Sequence, residues 1–361
     1  MSIDLGEVLA KHRIILCGGT GGVGKTTTAA ALGIVSARMG RRTLVLTIDP
    51  ARRLAGAMGL ERIDAQPQAT QAVPGLSAMM LDPGSSLDEI IQRHVSSEES
   101  ATRFLANPYY QQISRTVAGS REFVAMEKIH DLADSEEFET LIVDTPPSQH
   151  ALDFIDAPAR MIDMLDGTGL GFLLRANNMA NRLSFGLSGK GQKQFARLFE
   201  QLTGHSVAIE LNDFFSGFGE IISGFKVRAK KMQTLLRGSD ATFLMVMTPE
   251  AGISEMVSGY LDRLEIEQIN VSGTIFNQVF VVDAVDKNEV AASSRRAKVS
   301  DALLQRVLVC HHEWLDRYRQ EKEMIDEWQR HTDLPATVVP RLAENVSSLG
   351  DLEQIADALG T

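Results

Sequence analysis

Short, uniformly apolar runs recur along the chain: RIILC at Arg13–Cys17, TLVLTI at Thr43–Ile48, LSAMML at Leu76–Leu81 and TLIV at Thr140–Val143. TFLMVM at Thr242–Met247, VSGTIF at Val271–Phe276 and ATVV at Ala336–Val339 continue the series. Runs without polar alternation suit strands covered on both faces, as in a parallel sheet between helices. Helical spacing separates most of them, as at Thr26–Met39 and Glu250–Leu264. The alternation predicts a doubly wound, mostly parallel α/β core, with ligand sites at the carboxyl ends of its strands.

Two stretches break the pattern, residues 85–137 and 158–238, and both read as helical with few strand-like runs. Leu211, Phe214, Phe215, Phe218, Ile221, Ile222 and Phe225 follow the three-and-four spacing of one helix face. The expected organisation is therefore a core of residues 1–84, 138–157 and 239–361 carrying a helical subdomain of residues 85–137 and 158–238.

Composition narrows the class. The 361 residues are 44% hydrophobic and 23% charged, enough to bury a sizeable globular core. A net charge of -11 argues against a nucleic-acid partner, whose binding surface would be basic. Cys17 and Cys310 are the only cysteines, so this chain alone builds neither a disulfide framework nor a multi-cysteine metal site. The first residues, MSIDLGEVLAKHR, lack the basic start and apolar run of a signal peptide. No run approaches the ~20 apolar residues of a membrane span, and the expected localisation is cytoplasmic.

Gly19–Thr26 fits G-x-x-x-x-G-K-[ST] between a predicted strand and a predicted helix, the context that makes this pattern informative. Backbone N–H groups of Gly19, Thr20, Gly21, Gly22, Val23 and Gly24 can turn around an anion. Lys25 can reach the β- and γ-phosphates of ATP, the Thr26 hydroxyl can ligate Mg²⁺, and Thr27 continues the binding turn. The following helix points its positive end at the same place. Two acids close other strands: Asp49 in TIDPARRL and Asp144 in LIVDTPPSQHALDF. An acid at a buried strand end is costly unless paired or near a metal. Asp144 is the candidate for orienting the Mg²⁺ shell, and Asp49 for orienting or deprotonating the attacking water. Each could instead be a helix N-cap.

Taken in order, GGTGGVGKTTT, TIDPARRLAGAMG, DTPPSQHALDF, FNQ and VVPRLAE resemble the ArsA family of ATPases. That family includes the arsenite-pump ATPase and the guided-entry ATPase for tail-anchored membrane proteins. The resemblance implies ATP and Mg²⁺ as ligands, a deviant phosphate loop at Gly19–Thr26, and a first switch at Asp49-Pro50-Ala51 with Asp49 as the water-activating acid. It also implies a second switch from Asp144-Thr145-Pro146-Pro147 through His150. By the same correspondence Asn277 would contact the adenine, and backbone around Pro340 and Arg341 would help close the base pocket.

Two departures bear on mechanism. The family's loop usually reads G-K-G-G-x-G-K-T, and its first lysine reaches across a dimer to the partner's nucleotide. This chain has Thr20 there, and a hydroxyl on a short stem cannot replace a long cation. A trans cation can be worth ~10³- to 10⁵-fold in phosphoryl-transfer rate. The expected consequence is slow hydrolysis by a homodimer, or a heterodimer whose paralogue supplies the lysine; Thr20 could also be only a turn residue. The second departure is the zinc-binding Cys-x-x-Cys of the membrane-protein-targeting branch. The comparable helix here carries Cys310-His311-His312-Glu313-Trp314, whose neighbours point about 100° apart and make no single metal-facing cluster.

In the helical part, Met161, Met164, Phe172, Leu173, Leu174, Met179 and Phe185 suit either a switchable site for a hydrophobic client protein or lipid-like ligand, or an ordinary helical core. The leading reading is an ArsA-type ATPase cycling between open and closed dimers. Its alternatives are a catalytically weak ATP-binding regulatory subunit and a P-loop small-molecule kinase, against which the DTPP segment argues.

Overall fold

A chain whose apolar runs lack polar alternation must cover both faces of its strands, and the inner strands here are covered in full. The computed structural model describes residues 2–48, 52–60, 62–81, 88, 92, 98–107, 121–146, 155–157, 159, 227–250, 253–282 and 300–360. Asp49, Pro50, Ala51, Pro147 and His150 lie outside the described residues, as do Met161 to Phe185 and Leu211 to Phe225 of the helical subdomain.

Eight strands form one sheet: β1 (Ile14–Gly18), β2 (Thr43–Thr47), β3 (Gln68–Ala69), β4 (Leu76–Met80), β5 (Thr140–Asp144), β6 (Ala241–Met247), β7 (Val271–Val279) and β8 (Ala336–Pro340). Their order is β3-β4-β2-β5-β1-β6-β7-β8. Every pairing is parallel except that of β3 with β4. All residues of β1, β2, β5 and β6 are buried, as their unalternating sequences require. Each of the seven runs becomes a strand. β3 is the one strand with no such run: two residues, Gln68 and Ala69, pair with Ala78 and Ser77 at the sheet edge.

The helix Lys25–Arg38 is buried on nearly every side, from Thr28 to Ala37. Its small residues permit close approach to the sheet: a Cβ on Gly33 would stand 2.6 Å from a methyl of Val45. The helix Leu349–Leu359 lies against it through Leu352, Ile355, Ala356 and Leu359. On the outer side Arg38 pairs with Asp357 at 2.6 Å and Glu353 at 3.0 Å. The long helix Asp301–Thr332 is anchored near its end, where Trp328 Nε1 donates to Thr274 Oγ1 of β7 at 3.0 Å. Cys310 is exposed on this helix, and His312 faces Asp316 one turn on.

The chain divides into two compact units. The first comprises Met1–Met80, Glu137–Leu152 and Arg237–Thr361 and holds the sheet; the second comprises Leu81–Glu136 and Asp153–Leu236. No helix among the described residues is long and apolar enough to cross a membrane.

In the second unit the helices Glu98–Leu105 and Arg121–Asp134 accompany helical residues 227–236. Val124, Ala125, Met126 and Ile129 are buried, as are Ala229 and Met232. Within this apolar setting the Arg228 guanidinium pairs with Glu127, which is 3% exposed, and with Asp131. Burial pushes the Glu127 carboxyl up to about 7 despite the opposing pull of Arg228. A carboxyl raised on folding contributes stability below its unfolded value and loses it as pH rises through the folded one. Wild-type protein is therefore expected to lose stability between about pH 4.5 and 7 relative to Glu127→Gln, in urea unfolding followed by circular dichroism. At pH 8 Arg228→Met is expected to cost ~3–5 kcal/mol by stranding the buried carboxylate. Identical pH slopes for wild type and Glu127→Gln would refute the assignment.

Candidate active site

The sheet order places β5 between β2 and β1, so Asp144 at the end of β5 lies in register with Thr47 on one side and Cys17 on the other. The phosphate loop begins where β1 ends. Its last glycine, Gly24, caps the helix Lys25–Arg38 with φ +88°, a left-handed conformation open to glycine at no steric cost. A Cβ there would also stand 2.2 Å from Asn277 Nδ2, and one on Gly19 would stand 1.9 Å from the Val246 carbonyl oxygen. The loop is thus seated against β6 and the end of β7.

Lys25 is 7% exposed, and its Nζ donates to the carbonyls of Gly19 at 3.0 Å and Thr20 at 2.8 Å. The ammonium is curled over the loop, at the mouth where an anion would be gripped. Asp144, 1% exposed, accepts through Oδ2 from Thr26 Oγ1 at 2.6 Å and Thr47 Oγ1 at 3.0 Å. Two hydroxyl donors are the kind of compensation a buried carboxylate requires. Beside it burial pushes the Cys17 thiol far up, Asp144 adds to the rise and Lys25 opposes it, so the thiol stays protonated. Thr145 holds the next step of the chain by donating from Oγ1 to the Cys17 carbonyl at 2.8 Å.

These donors suit Mg²⁺. The ion takes hard oxygen ligands and is held by few protein groups together with phosphates and water. The Thr26 hydroxyl and the Asp144 carboxylate, already in contact on the first helical turn, would hold it there, and the ion would neutralise charge on the phosphates.

Of the residues expected around the base, Asn277 is 5% exposed and its Nδ2 donates to the Val23 carbonyl at 2.8 Å. Pro340 ends β8 opposite Val279, and the Arg341 N–H donates to the Val279 carbonyl at 2.8 Å. The Arg341 guanidinium lies 5.1 Å from the Phe280 ring centre, with Arg317 4.2 Å from the same ring. The structure therefore brings Gly19 to Thr26 together with Asp144 and Asn277. The half-buried Thr27 follows on the same helical turn.

Sequence reasoning assigned no role at the site to Thr47, Cys17 or Gln278. Thr47 carried a visible signal, a hydroxyl one residue before the end of the apolar run TLVLTI. Gln278, present only as the last residue of FNQ, carried no signal of its φ of +59°.

A doubly wound sheet with a phosphate loop after its first strand and a strand-end carboxylate on the first helical turn defines a P-loop nucleotide-binding protein. Comparison with known proteins makes this specific. The profile of the anion-transporting ATPases, the ArsA family, matches residues 12–360. The chain belongs to that family and is an ATPase of its type.

Among curated relatives it is 26% identical over 301 residues to "ATPase ASNA1 homolog 1" of Paramecium tetraurelia, covering 81% of this chain and 82% of that protein. It is 34% identical over 145 residues to "ATPase GET3" of Malassezia globosa, covering 40% of this chain and 42% of that protein. With "ATPase get3" of Schizosaccharomyces pombe it shares 30% identity over 186 residues, 51% of this chain and 55% of that protein. Against the two fungal proteins the match spans about half the relative's length.

Proposed function

We propose that this chain couples MgATP binding and hydrolysis to the opening and closing of a dimer, and that its helical unit binds a hydrophobic client protein or a lipid-like ligand in one of those states. The observation that carries the reading is the contact of Asp144 with Thr26. It ties the first turn of the nucleotide-binding helix to the segment that leads out of the first unit, because the chain passes into the second unit between Leu152 and Asp153. A γ-phosphate with its Mg²⁺ can order such a segment, and hydrolysis can release it. Asp49 serves as the water-activating acid, and Asn277 with the backbone at Pro340 and Arg341 encloses the adenine.

Metalloid transport through thiolates is disfavoured by the cysteines themselves. Cys17 is buried with its thiol held protonated, and Cys310 is exposed on a distant helix of the sequence. The Thr20 substitution favours a second reading, in which the chain is a weakly catalytic subunit of a heterodimer with a lysine-bearing paralogue.

Light scattering and an apolar fluorescent probe test the proposal together. With MgATP or a non-hydrolysable analogue, the purified chain is expected to have the mass of two chains and to change its probe signal. The mass of a single chain in the presence of nucleotide would remove the homodimer. Equal probe signals with and without nucleotide would remove gating of the apolar site.

A further inference from the structure

Strand β7 is irregular where it meets the phosphate loop. Its pairing with β8 jumps from Phe276–Val338 to Val279–Pro340, so Asn277 and Gln278 together oppose Val339 alone. Such a bulge bends a strand and re-aims a side chain, and bulges concentrate next to active sites. Gln278 takes φ +59°, a left-handed conformation that a glutamine adopts at a cost. Just beyond, the Phe280 N–H is held at 2.7 Å by the carboxylate of the buried Glu321.

The side chain re-aimed by this bulge is Asn277, and what it meets is the loop backbone. Its Nδ2 donates to the Val23 carbonyl at 2.8 Å, across 254 residues of sequence. It also fills the space that a Cβ on residue 24 would take, 2.2 Å from that position. In a trans peptide the C=O and N–H point opposite ways. Fixing the Val23 carbonyl on Asn277 therefore fixes the direction of the Gly24 N–H, a donor of the phosphate cradle.

We infer that Asn277 is a positioning residue for the phosphate loop: its buried amide holds the Val23–Gly24 peptide in the anion-binding orientation, whichever base the ligand carries. This rests on the reading of Gly19–Thr26 as the MgATP site and adds to it a role toward phosphate that is independent of adenine. It also accounts for the left-handed Gln278, which the bulge requires in order to deliver the amide.

Titration calorimetry with MgATP and with magnesium tripolyphosphate separates the roles, using wild type, Asn277→Ala and Asn277→Asp. Losing the donor leaves a buried carbonyl unpaired, so both variants are expected to bind tripolyphosphate about five- to a hundredfold more weakly. Asn277→Asp is the worse of the two, because it sets a carboxylate against a carbonyl and an anion. Weaker ATP binding with tripolyphosphate affinity unchanged would show a contact to the base alone and overturn the inference. So would a wild type that binds ATP but not tripolyphosphate, since a preset loop needs no base to hold phosphate. A wild type that binds neither ligand would instead defeat the reading of the loop as a nucleotide site.

A double-mutant cycle supplies a second test through the same geometry. The methyl of Gly24→Ala collides with the Asn277 amide, so adding Asn277→Ala is expected to recover part of the ATP affinity that Gly24→Ala loses. Independent effects of the two substitutions, with thermal unfolding confirming folded protein, would overturn the inference.

Discussion

Thr20→Lys is expected to raise steady-state ATP turnover of the purified chain by ~10³-fold or more, the scale on which a supplied cation stabilises a phosphoryl-transfer transition state. Charge develops on the transferring phosphoryl group, and a cation poised there acts mostly in the transition state, so it changes rate more than affinity. In the wild type Thr20 contributes its carbonyl, which receives Lys25 Nζ at 2.8 Å, while its side chain carries no charge. A lysine at this position retains that carbonyl and adds a long cationic side chain. If the cation acts across a dimer, the rate per chain must rise with protein concentration until dimerisation saturates. Phosphate release at saturating MgATP over a concentration series reads both effects. Unchanged turnover in a dimeric Thr20→Lys protein would show that the missing lysine does not limit the reaction.

Asp144→Asn is expected to lower turnover by ~10²- to 10³-fold, the range seen when one preorganised charge-stabilising group is removed. The substitution leaves the shape almost intact. Its side-chain oxygen can still accept from Thr26 Oγ1 and Thr47 Oγ1, so stability should change little. What is lost is the negative charge proposed to orient the Mg²⁺ shell. The variant should accordingly need more Mg²⁺ for half-maximal activity, and adding the metal should recover only part of the rate. Turnover measured against free Mg²⁺ decides the matter. A full rate at the wild-type metal requirement would assign Asp144 a purely structural role between β1 and β2.

Much of the fold was legible because burial on both faces leaves a one-dimensional trace. The seven apolar runs became strands, and the interval Thr26–Met39 became the helix Lys25–Arg38. The phosphate loop was equally plain, since its glycines, Lys25 and Thr26 are consecutive in the chain. Asp144 could be chosen because an acid ending an apolar run is conspicuous, whereas Thr47 lies inside another run, before Ile48, and shares that carboxylate. Asn277 was recognised only by resemblance, as a contact to the base; its hold on Val23 could not be read, because the bulge that aims it depends on how β7 and β8 fall out of step. Glu127 and Arg228 were invisible as a pair: they lie far apart in the chain and meet within an apolar setting.

The sequence alone determined the buried strands, the phosphate loop and the strand-end acid, for each is written in neighbouring residues as periodicity, glycine placement or charge beside an apolar run. Tertiary structure decided which strands lie side by side. It thereby decided that Thr26, Thr47 and Asp144 share hydrogen bonds and that a side chain from β7 braces the loop after β1. The division has a physical cause. Local patterns fix conformation and burial, whereas hydrogen bonds between distant residues exist only once strand order and register bring donor and acceptor within about 3 Å.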